Sequence, residues 1–550
     1  MGNAHWKFLA GLTLAAVCST PAAAQAPLNP ELRVGIVQRF GEEFTDQLVL
    51  TPLGGDQLTV SFETGGQPQT IQTQELTILI GAQPLPEPVL EERVVLSSHR
   101  SFESAEESAS RWQRLGIATE VAQPDAWQVW AKRTDYHSPL LRRLLLESLH
   151  AAGHGQTFID SQVLTARPQV AFVANGYRYN RSQFDITSRY RRVQLQTNGA
   201  RKRLFGGDLR LQPNTYGTYT LVNQVPIETY LRGVVPHEIG PSAPPPAVEA
   251  QAVLARTYAL RNLRRFAIDD YELCADTQCQ VYRGLSDTVE RADRAIAATQ
   301  GQVLTYNGEL IDALYSSTTG GISAKFSDVW NGFDRPYLTP VVDSINFQWD
   351  LAAYPLSDET NFRRFINLQA QFNEEDWHTF RWQRQATLEE IATSLGTYLT
   401  NRSHPLAKLT SVSGLAVTER AASGRVQTVT VSTNLGPVEL RKNEIISALI
   451  PPRSQLFYIE PTYEAPQQSE TSTATSPKLT GYRFIGGGFG HGVGMSQTGS
   501  YHLGEQGWPY QKILQFYYPN TKLQLLDSSI VLWRPPNEDV PADNPAFSLP

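Results

Sequence analysis

Val225-Pro-Ile-Glu-Thr-Tyr-Leu-Arg-Gly-Val-Val-Pro-His-Glu-Ile239, running on through Gly240 to Pro246 into Ala247, is the stretch on which the reading of this chain turns. Val234-Val235 reads as an apolar strand or turn that delivers Glu238 just before a helix N-terminus. Ser242 is the expected cap of that helix, and Pro244 to Pro246 fit its first turn, where a missing N–H costs little. From Ala247 onward, Ala250, Val253, Leu254, Thr257 and Tyr258 fall on one helical face. Glu249 and Arg256 lie on another face, two turns apart. A carboxylate beside a helix N-terminus is favoured in its charged form. Apolar neighbours such as Val235 and Ile239 push its pKa the other way. On these residues alone, Glu238 reads more readily as a cap or ion-pair partner than as an acid/base.

Upstream, residues 25–83 read as a small β-rich region. Its strands include Arg33-Val-Gly-Ile-Val37, Leu58-Thr-Val-Ser-Phe62 and Leu76-Thr-Ile-Leu-Ile80, broken by Gly54-Gly55 and Gly65-Gly66. Pro84-Leu-Pro-Glu-Pro88 marks residues 84–91 as a linker. Residues 92–175 then follow a β-α-β-β-α-β order. Ala105, Ala109, Trp112 and Leu115 stand at helical spacing, and Trp127-Gln-Val-Trp-Ala131 forms a strand of the central hairpin. The run 177–205 gathers Arg178, Arg181, Arg189, Arg191, Arg192, Arg201, Lys202 and Arg203 among tyrosines. It reads either as a dock for an anionic polymer or as the solvated face of a hairpin. Residues 176–535 alternate strands and helices around a low-complexity loop at 465–477. The proline-rich tail, 536–550, has the composition of a disordered end. The expected class is α+β and multidomain, with a strand-rich catalytic region and a few helices.

The N-terminus sets the compartment. Lys7, the apolar run from Phe8 to Val17 and the small residues of Pro21-Ala22-Ala23-Ala24 form a signal peptide over 1–24. That run is far short of the roughly 20 residues a spanning helix needs, so the expected product is exported to the periplasm or cell wall with no transmembrane segment. With 47 Lys+Arg against 54 Asp+Glu, the chain lacks the basic excess of nucleic-acid binders. Cys274 and Cys279 remain after export.

The run Glu228-x-Tyr230-Leu231-x-Gly233-Val234-Val235-Pro236-x-Glu238, then Ala250-Gln-Ala-Val-Leu-Ala-Arg-Thr-Tyr258, resembles the stage II sporulation protein D family, which includes the amidase enhancers. Further blocks follow in the expected order. These are Cys274-x4-Cys279-Gln-Val-Tyr282-x-Gly284, Tyr315-Ser-Ser-Thr-Thr-Gly-Gly321, Gly490-His-Gly-Val-Gly-Met-Ser-Gln497, and Ile513-Leu514-x2-Tyr517-Tyr518-Pro519. Residues 92–175 resemble a SPOR domain, a module that binds glycan lacking stem peptides, in their order of elements alone.

The resemblance implies a lytic transglycosylase acting on denuded glycan, with Glu238 as its catalytic residue and Arg256 implicated in activity. One glutamate suffices for that chemistry. It protonates the leaving oxygen and then takes a proton from the muramic acid's own C6 hydroxyl, which replaces water as nucleophile. Arg256 could hold a substrate carboxylate or acetamido oxygen; its structural alternative is an ion pair with Glu249. Ser317, Thr318, His491, Ser496 and Gln497 are candidate sugar contacts, or residues of tight turns. The run Gly486 to Gly494 lacks both the Gly-Lys-Ser/Thr ending of a phosphate loop and the dinucleotide spacing. Some members of the family bind zinc through the cysteines and a nearby histidine. Here Gln278 stands where that histidine often lies, Glu249 where lysine often does, and Thr498 where tyrosine does. A disulfide and a partial zinc site both stay open, and no other cofactor is expected. The expected partners are peptidoglycan glycan strands and, in the alternative of a non-catalytic enhancer, a cell-wall amidase.

Overall fold

The computed structural model describes residues 28–346, 349–402, 404–464 and 477–534. The expected signal peptide (1–24) and tail (536–550), and nearly all of the 465–477 loop, lie outside them. The class is mixed α+β and multidomain, as expected.

The first strands are β1 (Glu31–Phe40), β2 (Gln47–Pro52), β3 (Leu58–Thr64), β4 (Gln67–Thr73) and the long β5 (Leu76–His99). They lead into α1 (Phe102–Arg114), β6 (Thr119–Ala122), β7 (Trp127–Ala131), α2 (Pro139–Ala151) and β8 (Phe158–Ala174). After these come β9 (Tyr177–Tyr179), β10 (Phe184–Ser188), β11 (Arg192–Thr197), β12 (Arg203–Gly206), β13 (Asp208–Pro213) and β14 (Tyr219–Pro226). The helices α3 (Ile227–Glu238) and α4 (Pro245–Arg261) and the short β15 (Leu273–Cys274) complete this half.

The expected boundaries at 83 and 176 are not physical ones. β1 pairs antiparallel with β14 from Glu31↔Pro226 to Phe40↔Tyr219, and one sheet runs β15-β1-β14-β13-β10-β3-β4. A second sheet joins β12, β11, β2 and β5. Leu32, Val34, Leu48, Leu50, Val60, Ile78, Phe172, Val193, Leu209 and Leu221 fill one core between them. The first strands therefore cannot bury their apolar faces without residues far along the chain. Residues 84–91, expected as a linker, lie inside β5, whose ladder with β8 continues across a register shift between Pro84 and Val89. Prolines are tolerated at such an irregularity, where the ladder bonds are already interrupted.

The β-α-β-β-α-β module is carried on this β5–β8 ribbon, with strand order β8-β5-β7-β6. Ser101 and Ser138 cap α1 and α2, accepting from the N–H of Ser104 and Leu141. α1 buries Ala105, Ala109 and Trp112; Leu115, the fourth residue of the spacing that marked it as a helix, is its C-cap and is exposed. The basic run 177–205 forms β9 to β11 and the start of β12, where Arg191 pairs with Glu31 and Asp208, and Arg201 with Asp287.

α4 is buried along almost its whole length rather than on one face. Ala252 and Ala255 pack into the first core, while Ala250, Val253, Leu254 and Tyr258 pack into a second with Leu304, Phe326, Met495, Ile513 and Tyr517. Beyond it, Tyr315–Ser316 pairs in parallel with Met495–Ser496. Between these two short strands the chain makes an excursion with cores of its own, one around Ile391, Val429 and Phe484 and one around Phe362, Phe365 and Leu456.

Candidate active site

Glu238 is the last residue of α3, not the residue before a helix N-terminus. The chain turns there for two reasons. Pro236 has no N–H to continue the helical ladder, and Gly240, at φ +83°, takes a left-handed conformation that redirects the backbone. Ser242 does not cap α4, whose N-cap is Pro244 with prolines in the first turn. At a helix C-terminus the backbone field no longer favours the charged form of Glu238.

The segment after the cysteine pair presses against α3. A Cβ on Gly233 would lie 2.5 Å from the Gly284 carbonyl oxygen and 2.7 Å from the Tyr282 ring, so only glycine permits the approach. This contact brings the Val281 N–H to Glu238 Oε1 at 2.7 Å. A relay of side chains fixes the second partner. The Tyr230 hydroxyl donates to Gln280 Oε1 (3.1 Å), Gln280 Nε2 donates to the Tyr315 hydroxyl (3.1 Å), and the Tyr315 phenol bonds the Glu238 carboxylate. Gln497 Nε2 holds the other side by donating to the Glu238 carbonyl oxygen (2.9 Å) and to Gln251 Oε1 (3.3 Å).

Burial pushes the Glu238 carboxyl above the usual carboxylate range, and the bonds from Val281 and Tyr315 only partly offset it. The residue as a whole is half-buried. Tyr230, Tyr258 and Tyr315 are themselves pushed up by burial and stay neutral around it. A carboxyl with a raised pKa, framed by neutral donors, can deliver a proton and accept one back.

Four separated blocks of sequence thus converge: the end of α3, the 280–281 segment, Tyr315 and Gln497. Residues 215–306 match the Stage II sporulation protein family. An amidase enhancer of Bacillus subtilis (strain 168) is 31% identical over 306 residues, covering 53% of this chain and 40% of that protein. Stage II sporulation protein D of the same organism is 25% identical over 340 residues, covering 58% of this chain and 82% of its own length. An uncharacterized protein of Brachyspira hyodysenteriae is 26% identical over 303 residues, with 55% and 67% covered. This chain carries a stage II sporulation protein domain. Residues 324–494, which hold the excursion, match a domain of unknown function (DUF8618).

Within this family framework, several expected binding residues prove to be fasteners. Arg256 is 0% exposed, which removes it from any substrate contact in this structure. Its guanidinium takes both oxygens of Glu228, at 2.8 and 2.7 Å, and donates to the Gln302 carbonyl (3.1 Å). Its partner is therefore Glu228, not Glu249. The pair ties the start of α3 to the middle of α4, so it fixes the helix that ends in Glu238. Thr318 is fully buried against the Thr379 hydroxyl (3.2 Å). Ser496 caps the helix Gln497–Glu505 and bonds Glu374. His491 lies against Trp330, accepts the Val493 N–H on Nδ1 (3.0 Å) and bonds the Tyr315 backbone; burial lowers its pKa to about 4, so it is neutral. Ser317, His491 and Gln497 keep partial exposure. Of the seven candidates, Glu238 and Gln497 are the two brought into direct contact.

Cys274 and Cys279 are joined as a disulfide. Joined sulfurs offer no thiolate, and no cluster of three or more His, Cys, Asp or Glu suited to a metal occurs among the described residues. The donor set does not fit zinc.

Sequence reasoning passed over Glu374. It is 1% exposed and accepts the backbone N–H groups of Thr319 (2.6 Å), Gly320 (2.8 Å) and Gly321 (2.9 Å), the Thr319 hydroxyl (3.0 Å) and the Ser496 hydroxyl. The excursion thereby locks the loop after Tyr315 to the loop before Gln497. Asp343, fully buried beside it, is bonded by Tyr517 and Asn373, and its carboxyl is pushed well above the usual range by burial and by Glu374. Gln280 and Tyr315 stood inside the quoted blocks but carried no local sign of their roles.

Proposed function

We propose that this chain is a peptidoglycan lytic transglycosylase that cuts peptide-free glycan strands, with Glu238 as its single acid/base. The matches to this family support a cell-wall role at the coarser level. The observation that carries the finer reading is Glu238 itself, a half-buried residue whose carboxyl is raised by burial and held by Val281 and Tyr315. In the first half of the reaction, protonated Glu238 gives its proton to the glycosidic oxygen as the bond to the muramic acid C1 breaks. The resulting carboxylate takes the proton from that sugar's C6 hydroxyl, whose oxygen bonds C1 and closes a 1,6-anhydro ring. The enzyme ends as it began. Hydrolysis would need a second carboxyl flanking the bond, and the nearby loop acids Asp343 and Glu374 are sealed at 0% and 1% exposure.

The β-α-β-β-α-β module is the proposed glycan-binding element, and residues 1–24 the export signal to the periplasm or wall. No helix among the described residues is long and apolar enough to cross a membrane. The 31% identity to an amidase enhancer favours a second reading, a non-catalytic wall-binding protein that stimulates an amidase. Mass analysis of peptide-free glycan digested by the exported protein separates these. Anhydro-muramic ends are expected; hydrated reducing ends would indicate a hydrolase, and uncut strands the enhancer.

A further inference from the structure

The module does not stand apart from the catalytic region. Trp127, the first residue of β7, is 1% exposed, with its ring 5.1 Å from that of Phe102 in α1 and 5.2 Å from that of Phe266. Phe266 in turn stacks on Tyr271 at 4.7 Å, just before β15. The indole Nε1 donates to Gln278 Oε1 at 3.2 Å. Arg265 anchors the same residue from the other side, donating from Nη1 to the Gln278 carbonyl (2.9 Å) while pairing with Glu103 of α1.

Gln278 lies inside the loop that the Cys274–Cys279 disulfide closes. Its N–H is held by Asp276 Oδ1 (2.8 Å), and the Cys274 N–H points to Cys279 Sγ (2.9 Å). So short and cross-linked a loop shifts as a unit rather than stretching. Its exit continues directly into Gln280 and Val281, the residues that orient Tyr315 and hold Glu238. A displacement at Gln278 is therefore delivered to the carboxyl with little slack.

We infer that Trp127 is a positioning residue for Glu238, acting through Gln278 and the disulfide loop, so that the module forms a working part of the catalytic region and not merely a tether. The inference builds on the proposed acid/base role of Glu238. The indole N–H and the Arg265 guanidinium together restrain the loop at Gln278. The tryptophan thus has two separable roles. Packing needs only the ring, whereas positioning needs the N–H.

Trp127→Phe keeps a ring in the stack and removes the donor; Gln278→Ala removes the acceptor. Both variants and their combination are compared with wild type in the exported full chain. Three quantities are read: kcat and KM on peptide-free glycan, the pH profile of kcat, and the titration of Glu238 by carboxyl infrared difference against Glu238→Gln. The expected result is a kcat loss on the order of 10- to 100-fold with KM held, and a double variant no worse than the singles. As the Val281 N–H withdraws, the alkaline limb of the profile and the infrared titration move up together. The side chains facing Glu238 are Tyr230 from α3, Tyr258 from α4 and Tyr315, all neutral over that range. Unchanged kcat and an unchanged titration in both single variants, with melting as in wild type, would overturn the inference. An inactive wild type whose Glu238 titration still shifts in Trp127→Phe would sink the enzymatic reading and leave the positioning role standing.

Discussion

Glu238 and Glu374 sit at the two sides of the same pair of loops, and their surroundings differ in kind. Glu374 has its oxygens filled by three consecutive backbone N–H groups and two hydroxyls, and it is closed to solvent. Glu238 has one backbone N–H and one phenol on its carboxyl, apolar neighbours, and is half-buried as a residue. A carboxylate whose lone pairs are all taken has no acceptor left for a ligand and serves as a fastener. One that is raised by burial and only lightly bonded has a proton to exchange. On the proposed reading, this contrast gives catalysis to Glu238 and architecture to Glu374.

That division can be tested by removing fasteners and partners in turn. The largest expected effect on stability is from Arg256→Ala, which leaves Glu228, its side chain 13% exposed, without its counter-charge and should cost about 3–5 kcal/mol in chemical denaturation. Glu374→Gln keeps the shape but turns an amide toward backbone N–H donors; about 1–3 kcal/mol is expected to be lost. Tyr315→Phe should leave melting close to wild type. It removes a bond that favours the charged form of Glu238, so the alkaline limb of the rate profile should move to higher pH. The smallest effect is a gain. The folded pKa of Glu238 lies above its unfolded value, so its contribution is full below the unfolded pKa and fades as pH rises through the folded one. Glu238→Gln should therefore melt higher than wild type at pH 7, with the difference shrinking toward pH 4. Equal melting at both values would place Glu238 with the fasteners.

Much of this was legible in the residues themselves. The block from Glu228 to Glu238 and the later glycine- and serine-rich blocks pointed to the family and offered Glu238 as the candidate acid/base, and the spacing of Ala105, Ala109 and Trp112 gave α1. What failed depended on partners far along the chain. The prolines of 84–91 looked like a linker because nothing nearby announces the β8 strand that pairs across them. The strands before residue 83 carry no mark of β14, 195 residues on at Glu31↔Pro226. Pro236 and the prolines of 244–246 blurred the boundary between α3 and α4, so Glu238 was set at the wrong helix end. Arg256 was matched to Glu249 by proximity on one helix, whereas its true partner is on the preceding helix. Glu374 stands in Asn373-Glu-Glu-Asp376, which reads as an ordinary solvated acidic run.

The central claim concerns one carboxyl. Peptide-free glycan digested side by side with wild type and Glu238→Gln, with cleaved ends counted by mass, addresses it most directly. The account predicts anhydro-muramic ends from wild type and a loss on the order of 100- to 10,000-fold in the variant, with glycan binding retained and melting no lower than wild type. Equal cleavage by both proteins would contradict it.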